Sequence, residues 1–261
     1  MFDNLKHSVY TSYSAIIGIG FFLLFYPLLL LFKLLTFRKG LYLLFHSWAR
    51  LYCFFTGIDL RIQGRVVQEG GVVYCCNHFS SFDNFAVYLL WDKPFTILGI
   101  EEIARLPLYG SLFKSMHVYF NRNNAKSKVK AMQQAMQRLE NGESVVVAAE
   151  GGIKSLSPPE VHQPFEDGAF IMAIRKQVPL VPFVFKSNHV ILPEFPLKYL
   201  HQRPCEISFL EPIQTVGLGM KDIPTLKEEV YQAMTAALEG VTESRADLSK
   251  KSAWNLISEF R

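Results

Sequence analysis

Charge is scarce in this chain and leans only slightly to one sign. Of 261 residues 19% are charged, and 27 Lys and Arg against 23 Asp and Glu leave a net charge of +4. So mild an excess, with no aromatic-basic recognition module, argues against nucleic acid as a partner. Cysteine is sparse too. Cys53, Cys75, Cys76 and Cys205 form no C-x-x-C pair and have no metal-ligand spacing. Cys75 and Cys76 are neighbours in a run that reads as a strand, so they point to opposite faces and are badly placed to pair. All four read as reduced packing residues of a cytosol-facing protein. No G-x-S-x-G elbow is present, which removes the commonest serine-hydrolase signature and leaves Ser80 and Ser81 without a glycine-flanked turn. No second histidine stands at ligand spacing, so His78, Asp83 and Glu150 fall short of a metal set.

Apolar residues are abundant, at 50% of the chain. Ala15–Phe32 is an uncharged run of 18 residues. As a helix it reaches about 27 Å, just under a hydrocarbon core of about 30 Å. Pro27 removes one helical hydrogen bond and predicts a kink or break there. A second apolar stretch, Leu41–Phe55, is interrupted by His46 and Arg50, and its Trp48 and tyrosines suit the headgroup level. Lys33, Arg38, Lys39 and Arg50 follow the first run and Lys6 precedes it, which keeps the main body on the cytoplasmic side. Two membrane geometries fit, a single span or a kinked helix pair dipping into one leaflet, and the short run with Pro27 favours the second. A wholly buried core helix pair is the alternative, disfavoured because the run is apolar all round.

From about residue 60 short apolar runs alternate with amphipathic helices. Strands are expected at 71–76, 95–98, 117–120, in "SVVVAA", at 178–185 and at 205–210. Helical spacing puts Val129, Met132, Ala135, Met136 and Leu139 on one face of the helix that begins "AKSKVK", and a last helix opens at Pro224. The alternation predicts a single α/β domain with a mostly parallel central sheet flanked by helices, preceded by an N-terminal membrane-associated helical pair. The boundaries are 1–58 for the helical hairpin, 59–240 for the α/β domain and 241–261 for a polar tail. Sites in such sheets form beyond the C-terminal ends of the strands, where both His78 and Glu150 fall.

In "CNHFSSFDNF" a histidine precedes an aspartate by five residues. Histidine can deprotonate a hydroxyl near neutral pH, and a carboxylate on its other ring nitrogen fixes its tautomer. A packed, purely structural histidine is the commoner meaning of this spacing alone. Arg122 follows a strand in "YFNRNN", where it suits a phosphate or a solvated surface equally. Lys126, Lys128 and Lys130 read first as a wet helix face and second as a patch for an acidic carrier or anionic lipid. In "AAEGGIKS", Glu150 ends a strand, Gly151 and Gly152 let backbone approach an anion, and Lys154 adds a cation. The prolines of "VPLVPFVF" suit either a strand edge near a cleft or a plain core strand.

Taken in order, N-H-x4-D, a strand with a trailing arginine, E-G-x-x-K-S and V-P-x-x-P resemble the glycerolipid acyltransferase family, whose type members are the 1-acyl-glycerol-3-phosphate acyltransferases. The resemblance covers roughly residues 60–215. It implies an O-acyltransferase of phospholipid synthesis or remodelling, with His78 as general base and Asp83 as its orienting partner. Arg122, Glu150, Gly151 and Lys154 match the acceptor-binding motifs, and Pro182 matches the fourth motif. It further implies no bound cofactor and no metal. Acyl-CoA or an acyl-carrier protein would serve as co-substrate, with membrane lipids as partners, at the cytoplasmic face of a bacterial inner membrane. The chain departs from the family where F-P-E-G-T-R-S becomes "AAEGGIKS", and where a lysine usually present gives way to Ile100 and Glu101. These departures open a larger-headgroup or phosphate-free acceptor, such as a lyso-ornithine lipid, as an alternative. A non-catalytic lipid-binding protein is the alternative of another class.

Overall fold

The computed structural model describes residues 2–65, 71–194 and 199–239. The polar tail expected over 241–261 lies outside the described residues. Seven strands form one sheet: β1 (Leu60–Gln63), β2 (Val73–Cys76), β3 (Phe95–Ile100), β4 (Val118–Phe120), β5 (Ser144–Ala148), β6 (Leu180–Phe185) and β7 (Cys205–Phe209). Their order is β1-β7-β6-β2-β5-β3-β4. Five of them, β2 to β6, run parallel, while β7 is antiparallel to β6 and carries β1 parallel beside it. The sheet is therefore mostly parallel, and β2, β5 and β6 are short all-apolar strands because both of their faces are covered. Cys75 packs into the core on one face and Cys76 into the core on the other.

The helices are α1 (Phe2–Leu34), α2 (Arg38–Thr56), α3 (Phe82–Ala86), α4 (Glu101–Ala104), α5 (Tyr109–Met116), α6 (Ala125–Glu140), α7 (Gly168–Lys176) and α8 (Asn188–Ile191), with α9 over 223–239. Helices α6, α7 and α9 cover one face of the sheet, and α2 with α5 covers the other. Pro224 sits in the first turn of α9, where its missing N–H is harmless. On α6 the inward stripe is Ala131, Ala135 and Leu139, flanked by Met132 and Met136, while Val129 is exposed. The expected face was thus rotated by part of a turn. Strand β6 lies between β2 and β7, which places Pro182 inside the sheet and not at an edge. Its carbonyl accepts the Leu210 N–H at 2.9 Å.

The first helix runs unbroken through Pro27. The kink expected there does not divide it, because α1 is docked along α2 on both sides of the proline. The Tyr10 hydroxyl donates to the Thr56 carbonyl at 2.9 Å, and the Trp48 indole N–H to the Gly18 carbonyl at 3.0 Å. The Phe22 and Phe45 rings lie 6.5 Å apart, and Leu29 is buried. The outer face of α1 is different. Residues 4–34 are long and apolar enough to cross a membrane, and only 6% of their most apolar window is buried.

The aromatics of α2, expected at headgroup level, face inward instead. Tyr42 is fully buried, and its hydroxyl donates to the carbonyls of Phe95 and Met116. Phe45 stacks on Tyr88 at 4.9 Å. Arg38, at the start of α2, pairs with Glu143 just before β5, and Glu143 also takes the Thr96 hydroxyl and Arg138. Behind them, His117 accepts the Ile97 N–H at Nδ1 and donates from Nε2 to the Tyr88 hydroxyl at 2.7 Å. Burial, with Arg38 and Arg138 nearby, lowers its pKa to about 3 and keeps it neutral. So α2 belongs to the core of the α/β unit, and α1 is the layer outside it.

Candidate active site

Strand β2 ends at Cys76, and Asn77 then substitutes for a strand residue. Its Nδ2–H donates to the Phe185 carbonyl at 3.1 Å and its Oδ1 accepts the Phe185 N–H at 2.8 Å. The end of β2 is thereby pinned to the end of β6, and the backbone is free to turn outward and present His78. The His78 ring donates from Nδ1 to Asp83 Oδ2 at 2.9 Å, which leaves the lone pair on Nε2. His78 lines a cavity of about 760 Å³.

Asp83 is buried and accepts four hydrogen bonds. Besides His78, Oδ2 takes the N–H groups of Phe79 at 2.9 Å and Ser80 at 3.0 Å, while Oδ1 takes the Asn188 amide at 2.8 Å. Three of those donors lie in one turn, which explains the five-residue spacing: the carboxylate caps the loop that carries its own histidine. Asn188 comes from the start of α8, 105 residues away. Nothing local to the motif announces it; the one signal was an asparagine just past a buried strand.

Glu150, two residues past the end of β5, is fully buried, and it is absent from the cavity lining. Its two oxygens accept the N–H of His78 at 2.9 Å and of His162 at 3.1 Å. Burial pushes its carboxyl up to about 7 against the pull of those two N–H groups. The geometry turns this residue, expected to face an acceptor, into a support beneath His78. Ser80 and Ser81 are also engaged. The Ser80 hydroxyl donates to the Leu192 carbonyl at 2.7 Å, and Ser81 donates N–H and hydroxyl to the carboxylate of Glu194. Neither hydroxyl is presented to His78 as a nucleophile.

The cavity opens at the C-terminal ends of β2, β3 and β5. Val87, Ile97, Leu98, Ile100, Ile103 and Val147 make its apolar wall, and Arg122, Lys128 and Lys154 bring cations to it. Of the lysine run at the start of α6, Lys128 reaches the site. Lys154 is bound to Glu166 at 3.0 Å. Arg122 donates to the Gly151 carbonyl at 3.3 Å, and a Cβ on Gly152 would stand 2.6 Å from its guanidinium. Gly152 also has φ +154°, which disfavours any side chain. The absence of a side chain at Gly152 is thus what lets Arg122 lie across this loop. Pro182 does not line the cavity. Among the described residues, no group of three or more His, Cys, Asp and Glu could hold a metal ion.

Residues 58–186 match the family model described as Acyltransferase. The chain carries an acyltransferase-family domain. A Caenorhabditis elegans relative, provisionally named a 1-acyl-sn-glycerol-3-phosphate acyltransferase, is 26% identical over 208 residues, or 78% of this chain and 72% of its own. The 1-acyl-sn-glycerol-3-phosphate acyltransferase of Cocos nucifera is 24% identical over 65% of this chain, which spans only 54% of that protein. The crystal structure of the 1-acyl-sn-glycerophosphate acyltransferase PlsC from Thermotoga maritima matches with a TM-score of 0.70 at 18% identity. The match covers 93% of this chain and 97% of that one, and it establishes a shared fold. The family match takes in His78, Asp83, Arg122, Glu150, Lys154 and Pro182 within its bounds. In the acyltransferase domain the cation-bearing loop after β5 and the histidine loop after β2 are neighbours because β2 and β5 pair in parallel, Cys76 beside Ala148.

Proposed function

We propose that the protein moves a fatty acyl group from an acyl thioester, of CoA or of an acyl-carrier protein, to a free hydroxyl of a lysophospholipid. The observation that carries this is the His78–Asp83 pair in a cavity lined by both apolar residues and cations. The apolar wall suits a fatty chain, and the cations suit an anionic headgroup. His78 Nε2 takes the proton of the acceptor hydroxyl as its oxygen attacks the thioester carbonyl. The tetrahedral adduct collapses, the C–S bond breaks, and the imidazolium returns the proton to the leaving thiolate. Asp83 holds the ring in the required tautomer and balances the imidazolium charge.

The same reading sets the protein against a membrane in plane and not across it. Because α1 is docked on α2 from Tyr10 to Leu29, and α2 is built into the core of the sheet, a spanning α1 would drag the α/β domain into the hydrocarbon. Lying flat, its exposed outer face meets one leaflet. Acids at the site favour a second acceptor class. Glu166 neutralises Lys154, and Glu101 stands where a lysine is usual, its carboxylate held by Arg105 and Asn121. A zwitterionic or phosphate-free lysolipid fits such a rim.

The test is incubation of purified protein with labelled acyl-CoA and acyl-carrier thioester against a panel of lysolipids, with His78→Ala as control. Acylated lysolipid that disappears in the control is expected. Release of free fatty acid alone would make the protein a hydrolase, and no turnover of any donor would leave it a lipid-binding module.

A further inference from the structure

The turn between α4 and α5, Arg105-Leu106-Pro107-Leu108, displays apolar side chains outside both cores. Leu106 is 52% exposed and Leu108 49%. The backbone is strained in order to do so. Leu108 has φ 61° and ψ −56°, and the Tyr109 N–H reaches back to the Pro107 carbonyl at 2.6 Å. A γ-turn of this hand is rare for a residue other than glycine. The turn is also folded hard onto α4, since a Cβ on Gly110 would meet the Ala104 carbonyl at 2.5 Å. Strain maintained at an exposed leucine needs a reason outside the folded core.

Its position supplies one. Tyr109 packs its ring 5.9 Å from Phe45, which in turn packs 6.5 Å from Phe22. The turn is therefore tied to the middle of the apolar run Ala15–Phe32, beside a helix whose outer face presents Ile16, Ile19, Leu23 and Leu24 to the surroundings. On its other side the end of β3 and α4 carry Ile100 and Ile103 into the cavity wall. Arg105, with its side chain 70% exposed and paired to Glu101, adds a cation beside the exposed leucines.

We propose that this turn is a second membrane contact, seated in the lipid chains alongside α1, and that it forms the rim over which a lipid passes from the bilayer into the cavity. The proposal rests on the in-plane membrane reading above and adds a segment that the N-terminal helices do not contain. The occupant is the bilayer itself, because the exposed leucines of the turn are tied through Tyr109 and Phe45 to α1, whose outer face is apolar, and a cation borders them.

The four native cysteines are buried, so a single introduced thiol can carry an environment-sensitive nitrobenzoxadiazole label on the full chain. Leu108→Cys and Leu106→Cys report on the turn. Ile19→Cys, at a residue 60% exposed on α1, reports on the helix, and Val216→Cys, at one 73% exposed, reports on a loop elsewhere. Vesicles of phosphatidylethanolamine and phosphatidylglycerol should blue-shift the Leu108→Cys or Leu106→Cys label as they do the Ile19→Cys label. Lipids brominated on their chains should quench both, and the Val216→Cys label should not respond. A response at Ile19→Cys with none at either turn position overturns the proposal and leaves the membrane reading standing. No response at any position overturns both. A shift at the turn that needs no vesicles and grows with protein concentration assigns it to a contact between copies of the chain and overturns the proposal as well.

Discussion

On the base-bearing wall of the cavity, His78 and Asp83, with Glu150 behind the lining, are bound by at least six hydrogen bonds of 2.8–3.1 Å, and two of the three are buried. On the cation-bearing wall, Arg122, Lys128 and Lys154 are exposed, with one carbonyl and one carboxylate between them as partners. The difference follows from what each wall has to do. Proton transfer requires atoms held within hydrogen-bond reach in one orientation, so its groups are fixed by the fold. Headgroup recognition works through charge at a distance and tolerates long, solvated side chains.

Substitutions on the two walls should therefore separate rate from affinity. The largest effect is expected for His78→Ala, with kcat falling about 10²–10⁴-fold while the thermal midpoint holds; loss of the midpoint instead would mark His78 as structural. Next is Glu150→Gln, which sets an NH2 against a backbone N–H beneath His78. Its kcat should drop about tenfold or more, the size of one lost buried bond, with KM for donor and acceptor unchanged.

Glu150 also carries a pH signature. Its folded value of about 7 lies above the ordinary 4.5, so the fold holds this proton more tightly than the unfolded chain does. That stabilisation is complete below about 4.5 and is lost as pH rises through about 7. Urea titrations should show wild type losing up to roughly 3 kcal/mol relative to Glu150→Gln across that window, at about 1.4 kcal/mol per unit. A difference flat in pH would contradict it. Asn188→Ala strands Asp83 Oδ1 and should cost about 1–3 kcal/mol of stability, visible as a lower urea midpoint, with a smaller loss of kcat than for His78→Ala. Lys154→Ala should be the mildest. Its exposed ion pair contributes about 1 kcal/mol or less, kcat should hold, and KM for an anionic lysolipid should rise while that for a zwitterionic one stays level.

The base wall was legible in the sequence because its first three contacts are local: the carboxylate, the histidine and two backbone amides fall within six residues. Asn188 and the inward turn of Glu150 were not, since one depends on the return of the chain after β6 and the other on the pairing of β2 with β5. Six of the seven strands could be read from short apolar runs, whereas β1, with Arg61 and Gln63 in a mostly exposed four-residue strand, gave no such signal. The tyrosines and Trp48 of α2 misled for a physical reason. A hydroxyl or indole N–H on an apolar ring suits a membrane interface and a buried carbonyl equally, and only the position of Phe95, Met116 and Gly18 decides between them. Pro27 misled because a lost backbone bond bends a free helix, whereas α1 is clamped to a neighbour on both sides.

That clamping has a consequence for how the chain is made. The core that α2 completes includes β6 and β7, the last strands to be synthesised. At ribosomal rates of roughly 5–20 residues per second, α1 and α2 wait on the order of ten seconds as an oily hairpin with no sheet to cover them. A bilayer is the natural place for that wait, and a chain translated without one exposes Tyr42, Phe45 and Tyr52 to their counterparts on other nascent copies.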